Sequence, residues 1–210
     1  CNDGMDVFEH GDRTLLVVNN EFTNRGYLWP NKTGDGPSDD DIRKGMVAHG
    51  VSIVEIAKGG GGWTMVKDSP LNRRITPETP MTLTGAAAGD ELVRTAGDLS
   101  GTRCLGTWNN CGNGVTPWGT YLTCEENFNG YFSTSDPDHT VSDDMQRYGI
   151  STRGTGYFWA KIDPRFDFAQ HPNEPHCAGY VVEIDPRDPT SVPKKSTSLG
   201  RFKHENAEAV

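Results

Sequence analysis

Long hydrophobic runs are missing from this 210-residue chain, and none approaches the roughly 20 apolar residues that a membrane-spanning helix needs. Apolar residues are scarce altogether, at 34%, while glycine and proline number 25 and 13. That balance argues against a helical bundle and suits short strands joined by turns. Basic residues are also in deficit: 20 Lys and Arg stand against 29 Asp and Glu, a formal charge of −9, which disfavours nucleic acid or an anionic membrane as a partner. Five cysteines are too few for a disulfide scaffold and lack paired zinc-finger spacing, and the odd count leaves one unpaired within the chain. The first residue is Cys1, with no signal-like segment before it, so residues 1–210 read as an incomplete, internal part of a single domain.

What is present is strand punctuation. Thr14–Val18, Val51–Ile56, Trp63–Val66, Tyr121–Cys124, Tyr157–Ile162, Tyr180–Ile184 and Ser198–Phe202 are short, alternating runs bounded by Gly, Pro, Asn or Asp. The runs beginning at Gly50, Gly156 and Gly179 share a pattern of glycine, apolar alternation and polar turn, as the strands of repeated blades would. At roughly 40 to 50 residues per four-stranded blade, the chain holds about four or five blades, so the expected fold is all-β, a partial β-propeller with long loops and few short helices. One helix is expected over Ser38–His49, with a serine cap, acids in its first turn and Gly50 beyond its end. The stretches 133–153 and 163–178 lack a pattern and are expected to be functional or mobile loops. Gly59–Gly62 reads as a hairpin turn and the five tryptophans as packing residues.

Chemistry concentrates where strands end. In the segment 108–132 a glycine-rich turn feeds a strand that finishes in Glu125 and Glu126, which in regular strand geometry face opposite sides and can share a site only where the strand bulges or stops. Val17-Val-Asn-Asn-Glu21 closes an early strand and Gly200-Arg-Phe-Lys-His-Glu205 a late one. Period two sets Asn19 with Glu21 and Lys203 with Glu205, leaving His204 on the other side in a packing role. A lysine beside a carboxylate suits a metal-bound phosphate, the carboxylate taking the ion and the ammonium a phosphate oxygen. Cys111 and Cys124 read as a structural disulfide or buried thiols, and Cys104 and Cys177 as another possible pair.

These three segments, with Thr116-Pro-Trp-Gly-Thr120 between them, resemble those of the PhoX alkaline phosphatases across nearly the whole chain. The resemblance implies a β-propeller whose central cavity holds Fe3+ and Ca2+, and release of phosphate from phosphomonoesters by a monomeric, periplasmic or extracellular enzyme. Carried over by position, Cys1, Glu21, Glu125, Glu126 and Glu205 are the expected metal ligands. Lys203 and Asn19 are the expected phosphate-binding residues, and Lys203 and Glu205 the expected catalytic pair. Asn20 stands where the pattern has histidine, and the family's later acidic ligands have no counterpart here, so this piece is expected to be inactive alone. Metals answer a physical difficulty too, since a carboxylate cluster repels a phosphate dianion unless multivalent ions reverse its sign. Glutamate oxygens suit calcium, and a thiolate among them favours iron. Two other readings are a noncatalytic calcium-binding extracellular propeller and a calcium-dependent propeller that hydrolyses lactones or esters.

Overall fold

The computed structural model describes residues 1–29 and 36–209. Strands β1 (Asn2–His10), β2 (Arg13–Asn20), β3 (Gly50–Gly59), β4 (Gly62–Met65) and β5 (Arg73–Ile75) make one antiparallel sheet, ordered β1-β2-β3-β4 with β5 pairing the other part of β3. A second sheet contains β6 (Pro80–Thr84), β7 (Arg103–Leu105), β8 (Asn110–Val115), β9 (Tyr121–Glu125), β10 (Val181–Ile184) and β11 (Lys194–Ser196), in the order β7-β6-β11-β10-β9-β8. Its β11/β6 pair is parallel and its other pairs are antiparallel. Both sheets are open among the described residues.

Period-two patterning explains the first core. Leu15 and Val17 of β2 and Val51 and Ile53 of β3 turn inward with Ile75, Met81, Leu83, Tyr121, Val182 and Ile184 from the other strands. Each such side chain contributes about 1.5–3 kcal/mol on burial. The sheets approach closely where β8 lies against β1 and β2. A Cβ on Gly4 would sit 2.7–2.8 Å from Asn113 and Gly112, so only glycine fits there.

A second core is aromatic: Trp108, Phe128, Tyr131, Phe132, Trp159, Phe166 and Phe168 bury together with Ile42 and Met46 of helix α2 (Asp39–Ala48). The helix expected at Ser38 forms, and its start is a reciprocal cap: Ser38 Oγ accepts from the Asp41 N–H, and the Asp41 carboxylate from the Ser38 N–H. Two other helices are short, α1 (Arg25–Leu28) and α3 (Asp143–Arg147). The unpatterned stretches are thereby packed, since Met145, Ile150, Phe166 and Phe168 anchor them in the aromatic core.

Two expected strands are corrected. Tyr157–Ile162 is a 3-10 turn over Trp159–Lys161, because Phe158 adopts the left-handed conformation and frees Tyr157 and Trp159 to reach the aromatic cluster. Ser198–Phe202 is a run of turns, bent at Gly200 with φ 83° and held by Arg201, which donates to the Ala178 and Pro175 carbonyls. The β3-β4 hairpin turns at Gly59–Gly62 as expected. All five cysteines are free thiols, so the disulfide readings fall. Trp108 and Trp159 are packing residues, whereas Trp63 and Trp118 are exposed.

Candidate metal centre

Two irregular strands meet at the site. The register of β1 shifts between Asn2 and Met5, and that of β8 between Asn110 and Asn113. Such bulges re-aim side chains, and here Asp3 and Cys111 face each other, the thiol donating to Asp3 Oδ2 over 2.9 Å. Glu21, one residue beyond β2, completes the group: a carboxylate oxygen from Asp3, one from Glu21 and Cys111 Sγ all lie within 4.8 Å of one another. Burial, then the repulsion of Asp3, Glu126 and Glu205, holds the Glu21 carboxyl above its usual range. Burial, the bond to Asp3 and the charges of Asp3, Glu21 and Glu126 likewise push the Cys111 thiol up.

The charge of Glu205 is felt at Glu21 from a segment that lies along β8, where the Gly112 N–H donates to the Glu205 carbonyl at 2.7 Å. The glycines of Asn110–Val115, expected to form a turn, instead form a strand that lets this segment approach. A Cβ on Gly112 would stand 2.5 Å from the Glu205 carbonyl oxygen, and one on Gly114 1.7 Å from that of Ala207. Beside the carboxylates opens a cleft of about 410 Å³, lined by Glu21, Asn109, Asn127, Tyr131, Tyr157 and the exposed Lys203 among others.

Three expected site residues go elsewhere. β9 ends at Glu125 and Glu126 lies just beyond it, where its charge acts on Glu21. Glu125 is fully buried, with Oε2 accepting from the Gly179 and Tyr180 N–H groups at 2.8 and 3.1 Å and Oε1 2.9 Å from Lys195 Nζ. Burial pulls the Lys195 ammonium down, but Glu125 together with Cys104 and Cys177 outweighs it and the group ends above its usual range. The pair, with Lys195 also donating to the Gly106 and Cys177 carbonyls, ties β9 to β11 and consumes the carboxylate. Asn19 is equally occupied: its Nδ2 donates to the Cys111 and Gly112 carbonyls and its Oδ1 accepts from Thr123, stapling the two sheets together rather than facing the cleft. Cys1 lies beside Glu21, whose N–H donates to its carbonyl at 2.9 Å, yet its sulfur is outside the converging group; the thiol there is Cys111. His204 is buried against Phe202, as its alternation suggests.

A family model described as "Alkaline phosphatase PhoX" matches residues 1–210. The chain belongs to the PhoX alkaline phosphatase family. A solved structure, "Pseudomonas fluorescens PhoX in complex with vanadate, a transition state analogue", is 48% identical, with a TM-score of 0.91 over 98% of this chain and 36% of that one. This PhoX chain therefore spans about a third of the length of that relative. No curated protein matches it.

PhoX enzymes are metal-dependent, and the donor set here fits such ions. Asp3 and Glu21 offer hard oxygens and Cys111 a softer ligand, and the charges of Glu126 and Glu205 act on Glu21 beside them. A bound cation would draw Glu21 and Cys111 to their ionised forms. Asp3 and Cys111 carry little sequence signal, because only the facing bulges bring them to Glu21.

Proposed function

We propose that this chain supplies part of the active centre of a secreted phosphomonoesterase, with Fe3+ and Ca2+ held by Asp3, Glu21, Glu126, Glu205 and Cys111. The observation that carries this reading is the convergence of repelling carboxylates and a thiol beside a cleft into which a free lysine opens. Left without cations, such a cluster raises its own carboxyl groups and repels a phosphate dianion. When bound, the ions would supply Lewis acidity toward a phosphoryl oxygen and lower the pKa of a bound water. Lys203 would hold a second phosphate oxygen as a point charge. Glu205 would set the position of that lysine through the segment both share. We read the two open sheets as blades of a propeller in the longer protein, with export and a monomeric state following from the family likeness.

The test is turnover of a chromogenic phosphomonoester by the full-length protein before and after exhaustive chelation, with metal content measured in parallel. Activity should vanish on chelation and return with calcium and iron together. Full turnover by metal-free protein would sink the proposal. Hydrolysis of lactones or carboxylic esters without phosphate release would favour the esterase reading instead.

A further inference from the structure

One wall of the cleft is built on buried polar groups that the metal-centre reading leaves unused. His49 follows α2 and is fully buried, edge-on to Tyr131, Tyr157 and Trp159 with ring centroids 5.0–5.5 Å apart. Its Nδ1 lies 2.7 Å from the Gly45 carbonyl and its Nε2 2.9 Å from the Tyr131 hydroxyl. A carbonyl only accepts, so Nδ1 carries the proton and Nε2 accepts from Tyr131. Burial keeps the ring neutral, its pKa lowered to about 4.

With its proton committed to His49, the Tyr131 oxygen is left as an acceptor, and Asn109 Nδ2 donates to it across 3.1 Å. That bond decides which end of the Asn109 amide faces which way. Its Oδ1 therefore accepts from the Asn127 N–H, and its backbone carbonyl takes the Glu126 N–H at 3.0 Å. Asn109 does this in the left-handed conformation, φ 51°, an uncommon geometry for a residue other than glycine. The chain of bonds thus begins at a histidine distant in sequence and ends on the two peptide N–H groups around Glu126.

We propose that His49, Tyr131 and Asn109 form a directional hydrogen-bond relay that positions Glu126 for metal binding. The inference rests on the metal reading above for the role of Glu126. Removing the acceptor at His49 frees Tyr131 to reverse its hydroxyl, and Asn109 then loses the partner that orients it.

Calcium alone is titrated calorimetrically into chelator-stripped full-length protein for wild type, His49→Leu, His49→Gln, Tyr131→Phe and Phe166→Leu, and kcat and KM are measured on the reloaded proteins. His49→Leu and Tyr131→Phe should weaken calcium binding about tenfold or more and lower kcat comparably, with KM within about twofold. His49→Gln, which restores an acceptor oxygen, should recover to within about threefold of wild type. Phe166→Leu, in the same aromatic cluster but outside the relay, should lose stability while keeping calcium affinity. Should His49→Leu not fold, Tyr131→Phe, which deletes one oxygen, decides. Calcium binding by wild type with unchanged affinity in the relay variants overturns the inference alone, as does equal weakening in Phe166→Leu or failure of the glutamine to rescue. Wild type that binds no calcium overturns the metal reading and the relay's purpose with it.

Discussion

At the scale of single residues, polar side chains here divide by whether their bonding capacity is already consumed. Glu125, Lys195 and Asn19 are fully buried with their polar atoms engaged, and breaking a buried pair by removing one partner typically costs about 3–5 kcal/mol. Glu21 and Cys111 are instead pushed toward their neutral forms by burial and by the charges of neighbouring carboxylates. His49 permits a pH prediction. Burial, with a further push from Arg74, lowers its pKa from 6.5 to about 4 in the folded state, while Tyr131 and Tyr157 pack around it. The unfolded chain therefore binds the proton more readily. The stability this group contributes is fully present above pH 6.5 and is lost as pH falls through 4, with a total of about 3 kcal/mol. Urea unfolding of wild type and His49→Gln from pH 7 to pH 4 should show a steeper loss in wild type; parallel curves would refute it. Of these residues, Glu21, Glu126, Glu205 and Lys203 stand out in sequence because they close recognisable motifs. The fate of Glu125 does not, since nothing local reveals that Lys195, 70 positions away, will be buried against it.

At the scale of elements, the site depends on strands that are irregular. The bulges in β1 and β8 turn Asp3 and Cys111 toward each other, and the glycines of β8 leave room for the segment carrying Lys203 and Glu205. Gly114→Ala tests this arrangement, because its Cβ would meet the Ala207 carbonyl oxygen at 1.7 Å and push the segment off the strand. In the full-length protein the substitution should lower kcat by about an order of magnitude or more while the far-UV circular dichroism stays that of wild type. Wild-type turnover would show that the segment's seat on β8 does not matter. Period-two runs and caps made β2, β3, β9, β10 and α2 legible beforehand. The short β5, β7 and β11 were not, because three residues carry no period and are strands only by virtue of their partners. The aromatic run at Tyr157–Ile162 misleads for the converse reason: its rings are drawn to a three-dimensional cluster rather than to a sheet.

At the scale of the whole molecule, an acidic chain gathers several of its charges at one end of its sheets, so ions that bind there should stabilise the folded state. At calcium about 100-fold above its Kd the gain is about 2.7 kcal/mol. The melting temperature of the full-length protein should rise in calcium relative to sodium chloride of equal ionic strength, and the increment should shrink in Glu21→Gln; equal melting in both salts would count against a shared ion site. The amino-acid sequence by itself determined several of the longer strands, the capped helix, the family and the carboxylates that end its motifs, because these follow from local periodicity and short contiguous patterns. Only the tertiary structure decided that Glu125 is paired with Lys195, that Cys111 meets Asp3 and Glu21, and that Asn19 joins two sheets. Those outcomes depend on which distant backbone segments approach one another, and on which polar atoms find partners when water is excluded.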